Sequence, residues 1–201
     1  MEKKPKLPYQ TLVQILNNIP VKEHRVFLKT VYATVARVGE VTRYRIQPTI
    51  KVRDNPALTK QDFQFTSNVL KINLLTEKTM RERVVPIMRV DDTTQQYFKK
   101  NEAWLTEDII KYVSEFRFDS DVIFDRSTRW GQLVFRKYFP EFNNHIHLLR
   151  HWRATHLLQG LATGVPVPIN VVAKMGGWSN ASVLSSIYDG TIVEDFVRVD
   201  E

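Results

Sequence analysis

Apolar residues recur at two different periods along this chain, and the switches between them mark its organisation. Leu12, Ile15 and Leu16 share one face of a helix predicted over residues 7–18, closed by Pro20. Val26, Phe27, Val31 and Val35 keep helical spacing and predict a second helix from Val21 to about Arg37. Residues 43–60, with Pro48 and Pro56, read as a connection. The period then drops to two. DFQFTS, VLKINLL and RVVPI are three short β-type runs, with Asn68 in the first turn and TEKTMRE forming the second. They predict a small antiparallel sheet, and Pro86 near the end of the third run marks an edge.

Helical spacing then returns. DDTTQQYFKKN predicts a helix starting on Asp91 or Asp92. LTEDIIKYVSEF predicts another, capped by Thr106, with Glu107 and Asp108 in the first turn, where carboxylates suit the helix dipole. Ser127 or Thr128 caps a further helix through Tyr138, stopped by Pro140. The stretch from His147 to Gly160 carries Leu149, Ala154, Leu157 and Leu158, which make it a central core helix, with Gly160 and Gly164 as candidate stops. INVVAKM is a short helix, GGWSN a turn, and Asn180 the N-cap of a helix reaching Tyr188. In the tail, residues 189–201, Ile192, Val193, Phe196 and Val197 form one stripe that packs on its own domain or on a neighbour. The expected fold class is α+β, mainly helical: a three-stranded antiparallel sheet on a helical core, residues 1–201 forming one domain.

Composition narrows the chemistry. The chain has no cysteine, which excludes disulfides, thiolate metal sites and thiol catalysis. Lys and Arg number 29 against 22 acids, a net charge of +7 that favours a polyanionic partner. No apolar run approaches a membrane span and MEKKPKLPY has no apolar signal core, so an intracellular protein with no membrane partner is expected. Arg126, Arg129, Arg136 and Lys137 crowd one stretch, either lining a nucleic-acid surface or forming a solvated cationic face.

Within HLLRHWRATHLL, His147 and Arg150 are three apart and share a helical face. Arg37 lies among Ala36, Val38 and Val41, a setting that predicts a buried arginine paired with Glu40. Lys78 sits at the tip of the second hairpin. Trp178 offers an indole N–H or a packing anchor. Together with Tyr188 these groups suit displacement at a phosphodiester. A phenol is a poor nucleophile at neutral pH and needs help. Two arginine forks match the charge gathering on the non-bridging oxygens, and a lysine can protonate a leaving oxygen. Singly, each has an ordinary reading: Lys78 as a charged turn, Trp178 as packing, Tyr188 as a half-buried tyrosine. His147 and His151 have the spacing of a zinc pair, but no third ligand follows, so core histidines are preferred and no metal is expected.

The set, in the order Arg37, Lys78, His147-x-x-Arg150, Trp178, Tyr188, resembles the tyrosine recombinase (phage integrase) family. ARVGE is similar to its first arginine box, EKTMRERVVPI to its lysine hairpin, HLLRHWRATHLL to its H-x-x-R-H box and MGGWSN…Y to its last box. The resemblance covers roughly residues 8–190 as one catalytic domain. It implies a site-specific DNA recombinase or integrase working through a 3′-phosphotyrosyl intermediate, without cofactor. Tyr188 would be nucleophile, Arg37 and Arg150 the phosphate ligands, Lys78 the general acid, with His147 and Trp178 assisting and Glu40 in support. His151 fits the box without a clear chemical role. The implied partners are double-stranded DNA and further copies of the chain, as dimer or tetramer on paired sites; the implied biology is integration of a viral or plasmid genome in archaea or bacteria. A type IB topoisomerase and a non-catalytic DNA-binding relic are the alternatives. Three departures stand out. Trp178 and Tyr188 are one residue further apart than is common, the usual N-terminal DNA-clamping domain is expected to be absent, and Val35-Ala36 replaces a glycine that often precedes the first arginine, with little expected effect.

Overall fold

The computed structural model describes residues 7–42, 57–76, 81–182 and 184. Helix α1 (Tyr9–Asn17) buries Leu12 and Leu16 against α2 (Lys22–Ala33). A four-residue helix, α3 (Val38–Val41), follows. Strands β1 (Phe63–Phe65), β2 (Val69–Leu75) and β3 (Glu82–Met88) form an antiparallel sheet in that order. Then come α4 (Ala103–Val113), α5 (Thr128–Tyr138), α6 (His147–Leu158) and α7 (Ile169–Gly176).

The core follows the periodicities. Helix α2 is its axis: Val26, Phe27, Leu28 and Val31 are buried, and the helix packs against both α4 and α6. The sheet contributes Leu70, Ile72, Leu74, Val85 and Ile87 from alternate positions of two strands. Pro86 lies opposite Lys71 on the edge strand β3, where its missing N–H costs no ladder bond. Ser127 accepts a bond from the Trp130 amide and starts α5, as expected.

Three predicted elements differ. The second helix ends at Ala33 rather than near Arg37, because Val35 takes a left-handed conformation, φ +53°. Residues 91–101 form turns instead of a helix. The Asp92 carboxylate accepts from the Thr94 amide and hydroxyl, and the amides of Lys99 and Lys100 donate to the Thr163 carbonyl. Helix α4 starts at Ala103, three residues before Thr106, which lies buried inside it. The Glu102 carbonyl takes the first helical bond, from the Thr106 amide at 3.1 Å, while Asn101 Oδ1 accepts from the Ala103 amide. The 43–56 part of the predicted connection, the helix beyond Leu184 and the tail lie outside the described residues.

Candidate active site

The site is built around the corner between α2 and α3. At the end of α2 the Val35 amide donates to the Tyr32 carbonyl and the Ala36 amide to the Val31 carbonyl, a Schellman closure. Its left-handed position normally belongs to glycine, since a Cβ there costs about 1–2 kcal/mol. Here a fully buried valine occupies it. The glycine replacement, expected to have little effect, therefore puts backbone strain beside the site, offset by packing of the valine side chain. The Val35 carbonyl accepts a bond from Arg150 Nη1 at 2.8 Å.

Two residues on, Arg37 is the N-cap of α3. Its amide donates to Glu40 Oε2 at 3.0 Å and its Nη1 to Glu40 Oε1 at 3.1 Å. The predicted pair is present, with the Glu40 side chain wholly buried and the Arg37 side chain about one-fifth exposed at 22%. Glu40 has a second partner, Arg83 Nη2 from β3, at 2.6 Å. Burial works against the ionised carboxyl more strongly than any other influence. Even so, the charge of Arg83, the Arg37 amide and the charge of Arg150 together hold its pKa below the usual value.

Arg150 projects from α6 and is buried. Its guanidinium carbon lies 3.7 Å from the centroid of the Trp178 ring, a cation–π stack. The two glycines before Trp178 make that stack possible. A Cβ on Gly176 would overlap the indole, and Gly177 takes the left-handed turn, φ +68°, that ends α7. Of the two uses weighed for Trp178, indole donor or packing anchor, its ring face is engaged as packing against Arg150. His147 is exposed at the first position of α6, and His151 is half-buried one turn later.

Lys78 and Tyr188 lie outside the described residues. The root of the lysine hairpin is described: the Thr76 amide donates to the Arg81 carbonyl, and the Arg81 amide to Thr76 Oγ1, both at 2.9 Å. Asn180 Oδ1 accepts from the Ser182 amide at 2.9 Å, the expected cap at the start of the segment leading to Tyr188. Away from the corner, Arg126 is partly neutralised by Glu23 at 2.9 Å and lies over Trp130.

The family's sequence model, described as the phage integrase family, matches residues 6–191. The chain belongs to the phage integrase family. A comparison with curated proteins finds no match. Among solved structures, the chain is similar to the XerH site-specific recombinase bound to palindromic difH substrate in a post-cleavage complex. There the TM-score is 0.66 at 14% identity, covering 98% of this chain and 54% of that one. XerA recombinase gives a TM-score of 0.61 at 13% identity, covering 100% of this chain and 66% of that one. A lambda integrase tetramer bound to a Holliday junction gives 0.51 at 11% identity, covering 90% and 49%. At these identities the likeness is one of fold, and the chain spans from about half to about two thirds of the length of each.

At this corner, sequence reasoning passed over Arg83, quoted only as part of a strand pattern. A signal was available. Arg83, Val85 and Ile87 alternate on the buried face of β3, so a charged residue stands where an apolar one is due.

Proposed function

We propose that this integrase-family chain is a DNA strand transferase, a site-specific recombinase that cuts and rejoins double-stranded DNA. The observation that carries the reading is a convergence of cations. Three guanidinium groups, Arg37, Arg83 and Arg150, act on one buried carboxylate, Glu40, and so are gathered from separate segments into a cationic corner suited to an anion. Arg37 and Arg150 are the two family positions expected to bind the scissile phosphate. In the proposed step the Tyr188 oxygen bonds to phosphorus as the bond from phosphorus to the 5′ oxygen breaks. Lys78 gives its proton to that leaving oxygen, and the tyrosine's own proton passes to solvent or to His147. The two arginines stabilise the charge on the non-bridging oxygens, and Trp178 keeps Arg150 in plane. A 5′-hydroxyl from a second duplex then reverses the attack. The phosphotyrosyl bond conserves the energy of the linkage, so the cycle consumes no cofactor.

The partners we assign are double-stranded DNA and further copies of this chain on paired sites, consistent with the DNA-bound XerH and the junction-bound lambda integrase tetramer. Residues 1–201 would act as a catalytic domain, with Tyr188 placed by the segment that Asn180 caps and the tail docking in cis or on a neighbour. Integration of a viral or plasmid genome is the biology we attach to it. The test is a duplex nicked near the cleavage point, so that the cut strand diffuses away. Wild-type chain is expected to become covalently attached to it, and Tyr188→Phe to give no adduct. An adduct formed by that variant would remove Tyr188 from the nucleophile's role.

A further inference from the structure

We propose that Arg83 is a positioning residue of this site, fastening together the separate chain segments that carry its functional groups. The inference rests on the strand-transfer reading above. Arg83 leaves β3 two residues after the hairpin that holds Lys78 and is buried beneath the corner. Its Nη1 donates to the Thr34 carbonyl at 2.9 Å and also to the Met175 carbonyl. Its Nη2 donates to Glu40. Each acceptor belongs to a different functional segment. Thr34 precedes Val35, whose carbonyl holds Arg150. Glu40 holds Arg37 through both carboxylate oxygens. Met175 begins the Met-Gly-Gly-Trp turn that lays Trp178 on Arg150.

The fit around Arg83 extends to the hairpin root. A Cβ on Gly177 would collide with the Thr76 methyl and press on Arg83 Nε and Cδ, at 3.2 and 3.3 Å. Thr76 is itself buried and closes the lysine hairpin through Arg81. The strand that follows the lysine hairpin, the corner bearing Arg37 and the turn bearing Trp178 thus meet on one planar fork. A fork suits this work because its donors diverge in fixed directions, which an ammonium on a flexible stem does not reproduce.

Electrostatics adds a second consequence. The charged groups acting on Glu40 include Arg37 from its own turn, Arg83 from β3 and Arg150 from α6, and Arg83 opposes its burial most strongly. Without Arg83 the buried carboxyl protonates at higher pH and releases its grip on Arg37. A variant lacking this charge therefore loses cleavage as pH falls through a range in which the wild type keeps it.

The experiment compares wild type, Arg83→Met and Arg83→Lys on the nicked duplex. Single-turnover adduct formation is followed over roughly pH 5.5 to 8.5, alongside affinity for an intact duplex and far-UV circular dichroism. Folded Arg83→Met is expected to bind duplex within about threefold of wild type but to form adduct about 100-fold more slowly, with a further fall on the acid side. Arg83→Lys is expected to regain the wild-type pH profile while remaining about tenfold slow, because charge returns without the fork. Folded Arg83→Met that cleaves within about threefold of wild type overturns the proposal. So does a loss whose pH profile matches wild type in both variants. Should Arg83→Met not fold, Arg83→Lys decides. Slow adduct formation at unchanged affinity supports the role, and a wild-type rate overturns it. A wild type that never forms adduct fails the strand-transfer reading instead, whatever the Arg83 variants do.

Discussion

Two buried carboxylates in this chain, Glu102 and Glu40, meet arginines in opposite ways. Behind α2, Arg153 and Glu102 form a closed pair, with Nη1 and Nη2 donating to the two carboxylate oxygens at 2.5 and 2.7 Å. Both side chains are almost completely buried, and the face of Tyr32 lies 5.1 Å from the guanidinium carbon. One charge cancels one charge, and the pair staples α6 to the start of α4. At the corner, Glu40 answers to Arg37, Arg83 and Arg150 together. Burial and bidentate geometry do not by themselves mark a functional site. Several cations converging on a single carboxylate, held in place by the protein's own bonds, are what distinguishes the corner.

Several substitutions bear on this contrast. The largest effect belongs to the closed pair. Arg153→Met strands a buried carboxylate and is expected to destabilise the fold by about 3–5 kcal/mol in urea melts, while folded molecules keep their rate of adduct formation. A specific loss of cleavage there, with stability intact, would erase the distinction. Arg150→Lys is expected to slow adduct formation about 10²–10³-fold, because a point charge cannot hold the Val35 carbonyl, stack on Trp178 and fork a phosphate at once.

The pocket of the closed pair also titrates. Tyr32 donates its hydroxyl to His156 Nδ1 at 2.9 Å, leaving Nε2–H to donate to the Leu7 carbonyl at 3.3 Å. Burial, and secondarily the charge of Arg153, push the His156 pKa down to about 4, against the bond to Leu7. The unfolded chain therefore takes up this proton first as pH falls. Stability from the neutral ring is complete above about pH 6.5 and declines toward pH 4, by about 3 kcal/mol. Equilibrium melts of His156→Gln should show a correspondingly shallower loss over that interval, and an identical slope would contradict the assignment. The smallest effect is at the corner itself. Val35→Gly relieves the left-handed strain but empties a buried site, for a net loss of about 1 kcal/mol, whereas an unstrained position would lose about 2–3. Urea melts of the two proteins separate these cases.

Much of the fold was legible because its signals are local. Alternation in VLKINLL and RVVPI places the β2–β3 ladder, and Ser127 and Asn180 act as the caps their chemistry suggests. Misreadings arose where distant groups compete for the backbone. Residues 91–101 have helical spacing, but Thr163, more than sixty positions away, takes the amides of Lys99 and Lys100. Thr106 looks like a cap, yet the preceding turn is already helical, its Glu102 side chain tied to Arg153. In the site, Arg37 with Glu40 was readable because both lie on one turn. Arg83 was not, because its partners Thr34, Glu40 and Met175 are scattered over the chain.

From the order of residues alone came the family boxes, the helix-and-sheet class and the types of group available for phosphate chemistry. These depend on side-chain identity, short-range spacing and backbone preference, all written within a few positions. Tertiary structure decided which charges meet and how many share one partner. It made Arg153 a closed staple and gathered three guanidinium groups on Glu40. The reason is physical: a charge's effect depends on distance through space and on the water around it, and both exist only once the chain has folded.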